Sequence, residues 1–69
     1  MVQKYRVSVD YMDGTSDTVW QGSCSEGKME KLFHGAIMDQ KAKYEVDKKS
    51  CFVRVYNQED NVIRQETFH

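Results

Sequence analysis

"QGSCSEGKM", residues Gln21 to Met29, separates a strand-like run from a helix-like one, and how it is read decides the fold. Gly22 is followed by four residues and then Gly27-Lys28, the spacing of the phosphate-cradling loop G-x-x-x-x-G-K-[ST]. In such a loop backbone N–H groups wrap the phosphates, the lysine contacts them and the final hydroxyl holds Mg²⁺. Met29 stands where the hydroxyl belongs, and Glu26 puts a negative charge where a phosphate would lie. Capping explains the same letters better. Ser23 and Glu26 have the S-x-x-E spacing of a capping box, Ser25 is an alternative N-cap, and Gly22 and Gly27 serve the change of direction. The stretch is thus the corner where strand becomes helix, and its remaining functional claim is weak anion contact at a helix N-terminus near Lys28.

Before this corner, residues 2–12 alternate. Tyr5, Val7, Val9 and Tyr11 share one face, and Lys4, Arg6, Ser8 and Asp10 the other. Asp13-Gly14 then signals a tight turn. A two-residue loop sets Val9 opposite Thr18, Val7 opposite Trp20 and Tyr5 opposite Gly22. It also sets Asp10 against Asp17, a like-charge pair, so a longer loop with a bulge is the alternative. After the corner, Met29, Leu32, Phe33, Ala36 and Ile37 form an apolar stripe at helical spacing, in a helix running to about Lys43. His34 stands four residues after Glu30, at pairing distance. "VDKKS" reads as a turn, "CFVRVY" (51–56) as a strand, "NQED" as a turn and "NVIRQETF" (61–68) as a last strand.

The expected fold is one α+β domain over residues 1–69, ββαββ, with the helix across one face of a four-stranded sheet. If the first and last strands pair in parallel, the order is 2-1-4-3. That arrangement resembles the β-grasp; the resemblance is one of element order and carries no function.

Composition narrows the function. A net charge of −1 and a pI near 6.1 give no general attraction to nucleic acid or anionic membrane. No apolar run reaches membrane-spanning length, the start lacks the apolar core of a signal peptide, and a cytoplasmic location is expected. Cys24 and Cys51 are far apart and read as reduced thiols, with a disulfide as the alternative in a secreted chain. Neither a zinc site from the two cysteines and a histidine nor a Cys24 nucleophile served by His34 or His69 has the required spacing, so no enzyme, cofactor or metal is expected.

In "CFVRVY", Cys51, Val53 and Val55 suit the space under a helix, which leaves Phe52, Arg54 and Tyr56 on the open sheet face. Lys4 and Arg6 join them, and Arg64 does so if Ile63 points inward. Aromatic and arginine side chains on an open face are the anchors of protein interfaces. They also stack single-stranded bases. Lys48, Phe52 and Val53 match positions of the nucleic-acid-binding strand of the RNA recognition motif, a faint resemblance in a different element order. Asp10, Asp13 and Asp17 crowd the first hairpin without calcium-loop spacing, and as an acidic tip they suit a basic partner. The expected function is a non-enzymatic interaction module that binds a protein, or a second copy of itself, by the open face or the acidic hairpin. Small accessory and inhibitor proteins of phages and mobile elements have this size. A single-strand nucleic-acid binder using Phe52, Arg54, Tyr56, Lys4 and Arg6 is the alternative.

Overall fold

The computed structural model describes residues Met1 to His69 and contains β1 (Val2–Tyr11), β2 (Ser16–Ser25), α1 (Glu26–Asp47), β3 (Cys51–Tyr56) and β4 (Val62–Phe68). The fold is α+β, ββαββ, with α1 packed on one face of a four-stranded, fully antiparallel sheet. The strand order is β2-β1-β3-β4 rather than 2-1-4-3. Side-chain polarity explains the difference. Cys51, Val53 and Val55 point under the helix and are fully buried, whereas β4 carries Arg64, Gln65 and Glu66. Pairing β1 with β4 would set the charged strand in the middle and the apolar row at an edge. The observed order leaves the charges at the rim, where they meet water.

β2 and β3 are each antiparallel to β1, so they run parallel to each other and the helix must return the chain across the sheet. Twenty-two residues of helix span about 33 Å, the length of a ten-residue strand. The helix therefore continues past Lys43 to Asp47 and takes in much of the expected turn. Its first residue directly follows the last of β2, so no phosphate-type loop exists between them. Ser25, not Ser23, is the N-cap, and its hydroxyl accepts a hydrogen bond from the Lys28 N–H at 3.2 Å. At the other end Lys48 takes a left-handed conformation (φ 55°) and donates its N–H to the Tyr44 carbonyl. Met29, Phe33, Ala36 and Gln40 are the buried face, flanked by Leu32 and Ile37, and Tyr44 stacks on Phe68 one turn on. Glu30 bonds Arg64 of β4 instead of His34.

Both hairpins close with three-residue loops whose last residue has positive φ: Gly14 (91°) in the first, Asp60 (62°) in the second. The first hairpin keeps the pairs Tyr5–Gly22 and Val7–Trp20, but Val19 is then an extra residue in β2. Beyond this bulge Val9 faces Asp17 instead of Thr18, and Asp10 faces Ser16. The bulge removes the repulsive Asp10–Asp17 pair.

Gly22 lies inside β2 and does not shape the corner. A Cβ there would come within 3.0 Å of Trp20 Cζ2 and 3.2 Å of Cη2, so its missing side chain is what lets the indole lie over the strand. Gly22→Ala should therefore push the ring outward. A crowding cost of about 1–3 kcal/mol, less the backbone gain of about 0.5–1 kcal/mol from losing a glycine, predicts a net loss near 1 kcal/mol. Trp20 is the only tryptophan, so its emission should shift to the red. Unchanged emission would refute the close approach.

Cys24 is level with Gln3 and Cys51 with Tyr11, eight residues along β1, or about 26 Å. A disulfide needs Cα atoms closer than about 7 Å, so the two buried thiols cannot pair. Burial pushes the Cys51 thiol pKa up, with a partly offsetting hydrogen bond from Gln40.

Candidate functional site: the open sheet face

β1 alternates without a break, so Lys4, Arg6, Ser8 and Asp10 all stand on the face away from the helix. β3 adds Phe52, Arg54 and Tyr56, opposite Asp10, Ser8 and Arg6 in turn. One carboxylate organises them. Asp10 Oδ1 accepts from the Ser8 hydroxyl at 2.7 Å, and Oδ2 accepts from Arg54 at 3.2 Å and from the Tyr56 hydroxyl. Tyr56 stands across from Arg6, so to reach Asp10 its ring must lie along β1 over Ser8. Ser8 is accordingly inaccessible to solvent on a face that no helix covers.

Arg54 is held further by its Nε–H, which donates to Gln65 Oε1 at 2.9 Å, and its guanidinium lies 4.2 Å from the Phe52 ring centroid. Arg6 packs 4.2 Å from the Tyr56 ring centroid and reaches Asp60 at 3.4 Å. Cation and ring thus alternate across the face: Phe52, Arg54, Tyr56, Arg6.

Burial alone would raise the pKa of Asp10. Hydrogen bonds from Tyr56, Ser8 and Arg54, with the Arg54 charge, outweigh burial and hold it below the ordinary carboxylate value. Tyr56 moves up, first from burial and then because its hydroxyl bonds the carboxylate. Both shifts favour the pair as found, an ionised acid accepting from a neutral phenol.

The expected acidic hairpin is not one patch. Asp10 belongs to the open face. Asp13 is at the tip, where the Thr15 hydroxyl, the Thr15 N–H and Lys49 hold its pKa at about 2. Lys49 also covers the Tyr11 ring. Asp17 is turned by the Val19 bulge to the helix side, where it lines a small pocket with Gln40, Lys43 and Asp47. Arg64 is corrected likewise. A bulge in β4 turns both Ile63, packed on the core, and Arg64, bonded to Glu30 at 2.9 Å, toward the helix. Sequence reasoning missed Gln65 and Asp60, which hold Arg54 and Arg6, and Ser8, which donates to Asp10; for Ser8 its parity with Arg6 and Asp10 was the available signal.

The chain matches no protein-family model, no curated protein and no solved structure.

Beside Arg6 the face opens into a groove of about 570 Å³ lined by Lys4, Arg6, Gln21, Ser23, Asn57 and Asp60. No group of three His, Cys, Asp or Glu side chains is gathered that could hold a metal ion, and no helix is long and apolar enough to cross a membrane.

Proposed function

We propose that the protein is a non-enzymatic interaction module that docks another protein on its open sheet face, with Phe52, Arg54 and Tyr56 as anchors. The observation that carries this reading is the single carboxylate, Asp10, that fixes Arg54 and Tyr56 on a face no other element covers. Anchors held in place before binding lose little side-chain entropy on docking, and aromatic and arginine residues are the types that carry interface energy. The two larger extents of the molecule, 37 and 21 Å, outline a face comparable to the roughly 800 Å² each partner gives to a standard interface.

Charge favours a protein over a nucleic acid. Each arginine already faces a carboxylate: Arg6 with Asp60, Arg54 with Asp10, Arg64 with Glu30. Phosphate binding would have to displace these pairs on a chain with net negative charge.

The test is affinity capture from native lysate with the wild-type chain and two face variants, Phe52→Ala and, at its cross-strand partner on β4, Thr67→Lys, both checked for folding by circular dichroism. A partner held by the wild type should fall away with both variants. Identical capture by all three would remove the open face from the reading. Retention on single-stranded DNA at low salt, lost steeply as salt rises, would replace the protein reading with the nucleic-acid one.

A further inference from the structure

We infer that the first half of β1, from Val2 to Tyr5, is a slot for an extended, carboxylate-bearing peptide segment, which adds a strand beside β1 where β3 leaves off. The inference rests on the interaction-module reading and adds the partner's chemistry and the place it is gripped.

The slot arises from unequal strand lengths. β1 has ten residues and β2 pairs with it from Val2 onward, but β3 pairs with it only from Arg6 to Tyr11. After Tyr56 the chain turns away into a loop closed by Asn57 N–H to the Asn61 carbonyl and Asp60 N–H to the Asn57 carbonyl.

Backbone direction along β1 can be read at its far end. Tyr11 exchanges its main-chain bonds with the hairpin, its N–H donating to the Thr15 carbonyl and its carbonyl accepting from Gly14. The next residue, Met12, donates instead to the carbonyl of Ser50, just before β3. Odd residues therefore address β2 and even residues address β3, and β1 has no bulge to break the alternation. Lys4 is the first even residue beyond the end of β3. Its N–H and C=O point into the gap, beyond the last residue that β3 pairs, and none of the turn and loop hydrogen bonds reaches either. β2 holds this segment extended from the other side, so the template is preformed.

The side chains around the gap state what the incoming strand carries. The Lys4 ammonium has no carboxylate partner, and Arg6, packed on the Tyr56 ring, meets a single carboxylate, Asp60, through one 3.4 Å contact at the surface. Exposed pairs of that kind exchange readily. Gln21, Ser23 and Asn57 complete a mostly polar wall, and Tyr5, the one apolar residue that lines it, is already buried in the core. A main-chain donor and acceptor one residue apart in space from two cations fit an acidic peptide backbone; a phosphate chain could use the cations but not the Lys4 carbonyl. The outer edges of β2 and β4 are also free, but no residue of β4 lines this groove, and β2 lends it only Gln21, Gly22 and Ser23.

A substitution separates backbone from charge. The Lys4 N–H faces the gap rather than β2, so Lys4→Pro should be tolerated, while it deletes the donor the peptide needs. Lys4→Gln deletes only the charge. The probe is a displayed library of random octapeptides selected on the immobilised wild-type protein, with the enriched peptides then synthesised. Those peptides should carry acidic residues at alternate positions. They should bind Lys4→Gln about fivefold more weakly and show no measurable binding to Lys4→Pro. On the wild-type protein, peptide saturation should slow hydrogen exchange of the Lys4 amide, a readout that does not depend on the proline variant folding. No enriched peptide, an unprotected Lys4 amide, or undiminished binding to a folded Lys4→Pro would each overturn the slot. Peptides lost with Phe52→Ala but kept by Lys4→Pro would overturn the slot and leave the open-face reading standing. The converse would keep the slot and remove the aromatic anchors.

Discussion

Met29→Ala will lower the melting temperature by more than about 10 °C. The residue is 1% exposed and sits at the start of the helix stripe that faces the sheet. Truncating a buried methionine costs about 2–5 kcal/mol, the spread depending on how far the surroundings collapse. Little collapse is available here. The cavity floor is a sheet whose inward row of Val7, Val53 and Val55 is fixed by ladder hydrogen bonds, and the helix end above is pinned by the Ser25 cap. A domain of this length has about 3–10 kcal/mol of stability, and one kcal/mol moves its melting point by about 4–8 °C. Only 12 of its 69 residues are buried, so no large remaining core can compensate. Melting followed by far-UV circular dichroism decides the matter. A shift under 4 °C would mean the helix end settles into the space, and Met29→Leu, close in volume, should cost less than about 1.5 kcal/mol.

Parity and period carried most of the fold in the sequence. Alternation in residues 2–11 placed Tyr5, Val7 and Val9 under the helix, and helical spacing placed Met29, Phe33 and Ala36 over them. Both limits came from features without a local signature. Gln40 completes the buried stripe, but a polar letter at a core position looks like the helix leaving the sheet. Strand order depends on comparing strands: the charges of "VIRQETF" mark an edge only beside the apolar row of "CFVRVY".

The site errors share one cause. Asp17, grouped with Asp10 in the acidic hairpin, and Arg64, placed on the open face if Ile63 points inward, both turn to the helix side beside a bulge, at Val19 and Ile63. One extra residue reverses parity beyond it, so alternation stops reporting the face. Lys4, Arg6, Asp10, Phe52, Arg54 and Tyr56 lie on unbroken stretches and fell where alternation put them. Proximity in sequence groups Asp10 with the hairpin acids, whereas its parity aligns it with Arg6. What no sequence rule supplies is the convergence of Tyr56, Arg54 and Ser8 on it, which depends on β1 lying next to β3.

That convergence gives the second prediction. Asp10→Asn will cost about 1–2 kcal/mol at pH 7, because hydrogen bonds to a charged acceptor are worth more than neutral ones and the site is only partly screened from water. The loss should vanish in acid, and the sign follows from the depressed folded pKa of Asp10. A carboxylate that ionises more readily in the folded state adds stability that is complete above its unfolded pKa of about 4 and disappears as pH falls through the lower folded value. Wild type and variant should therefore differ most near neutrality and converge in acid. Asp13, held at about 2, steepens the acid limb of both proteins equally, so their difference isolates Asp10. Urea unfolding at a series of pH values measures it, and a gap that is the same at pH 7 and in strong acid would show that the charge on Asp10 is not what binds the face together. The same substitution tests the link from stability to docking. With the carboxylate neutralised, Arg54 and Tyr56 regain side-chain freedom at about 0.5–1.5 kcal/mol each, which binding must then overcome. Partner capture should weaken at pH 7 even where the variant remains fully folded, and capture at wild-type strength would show that preorganisation by Asp10 plays no part in recognition.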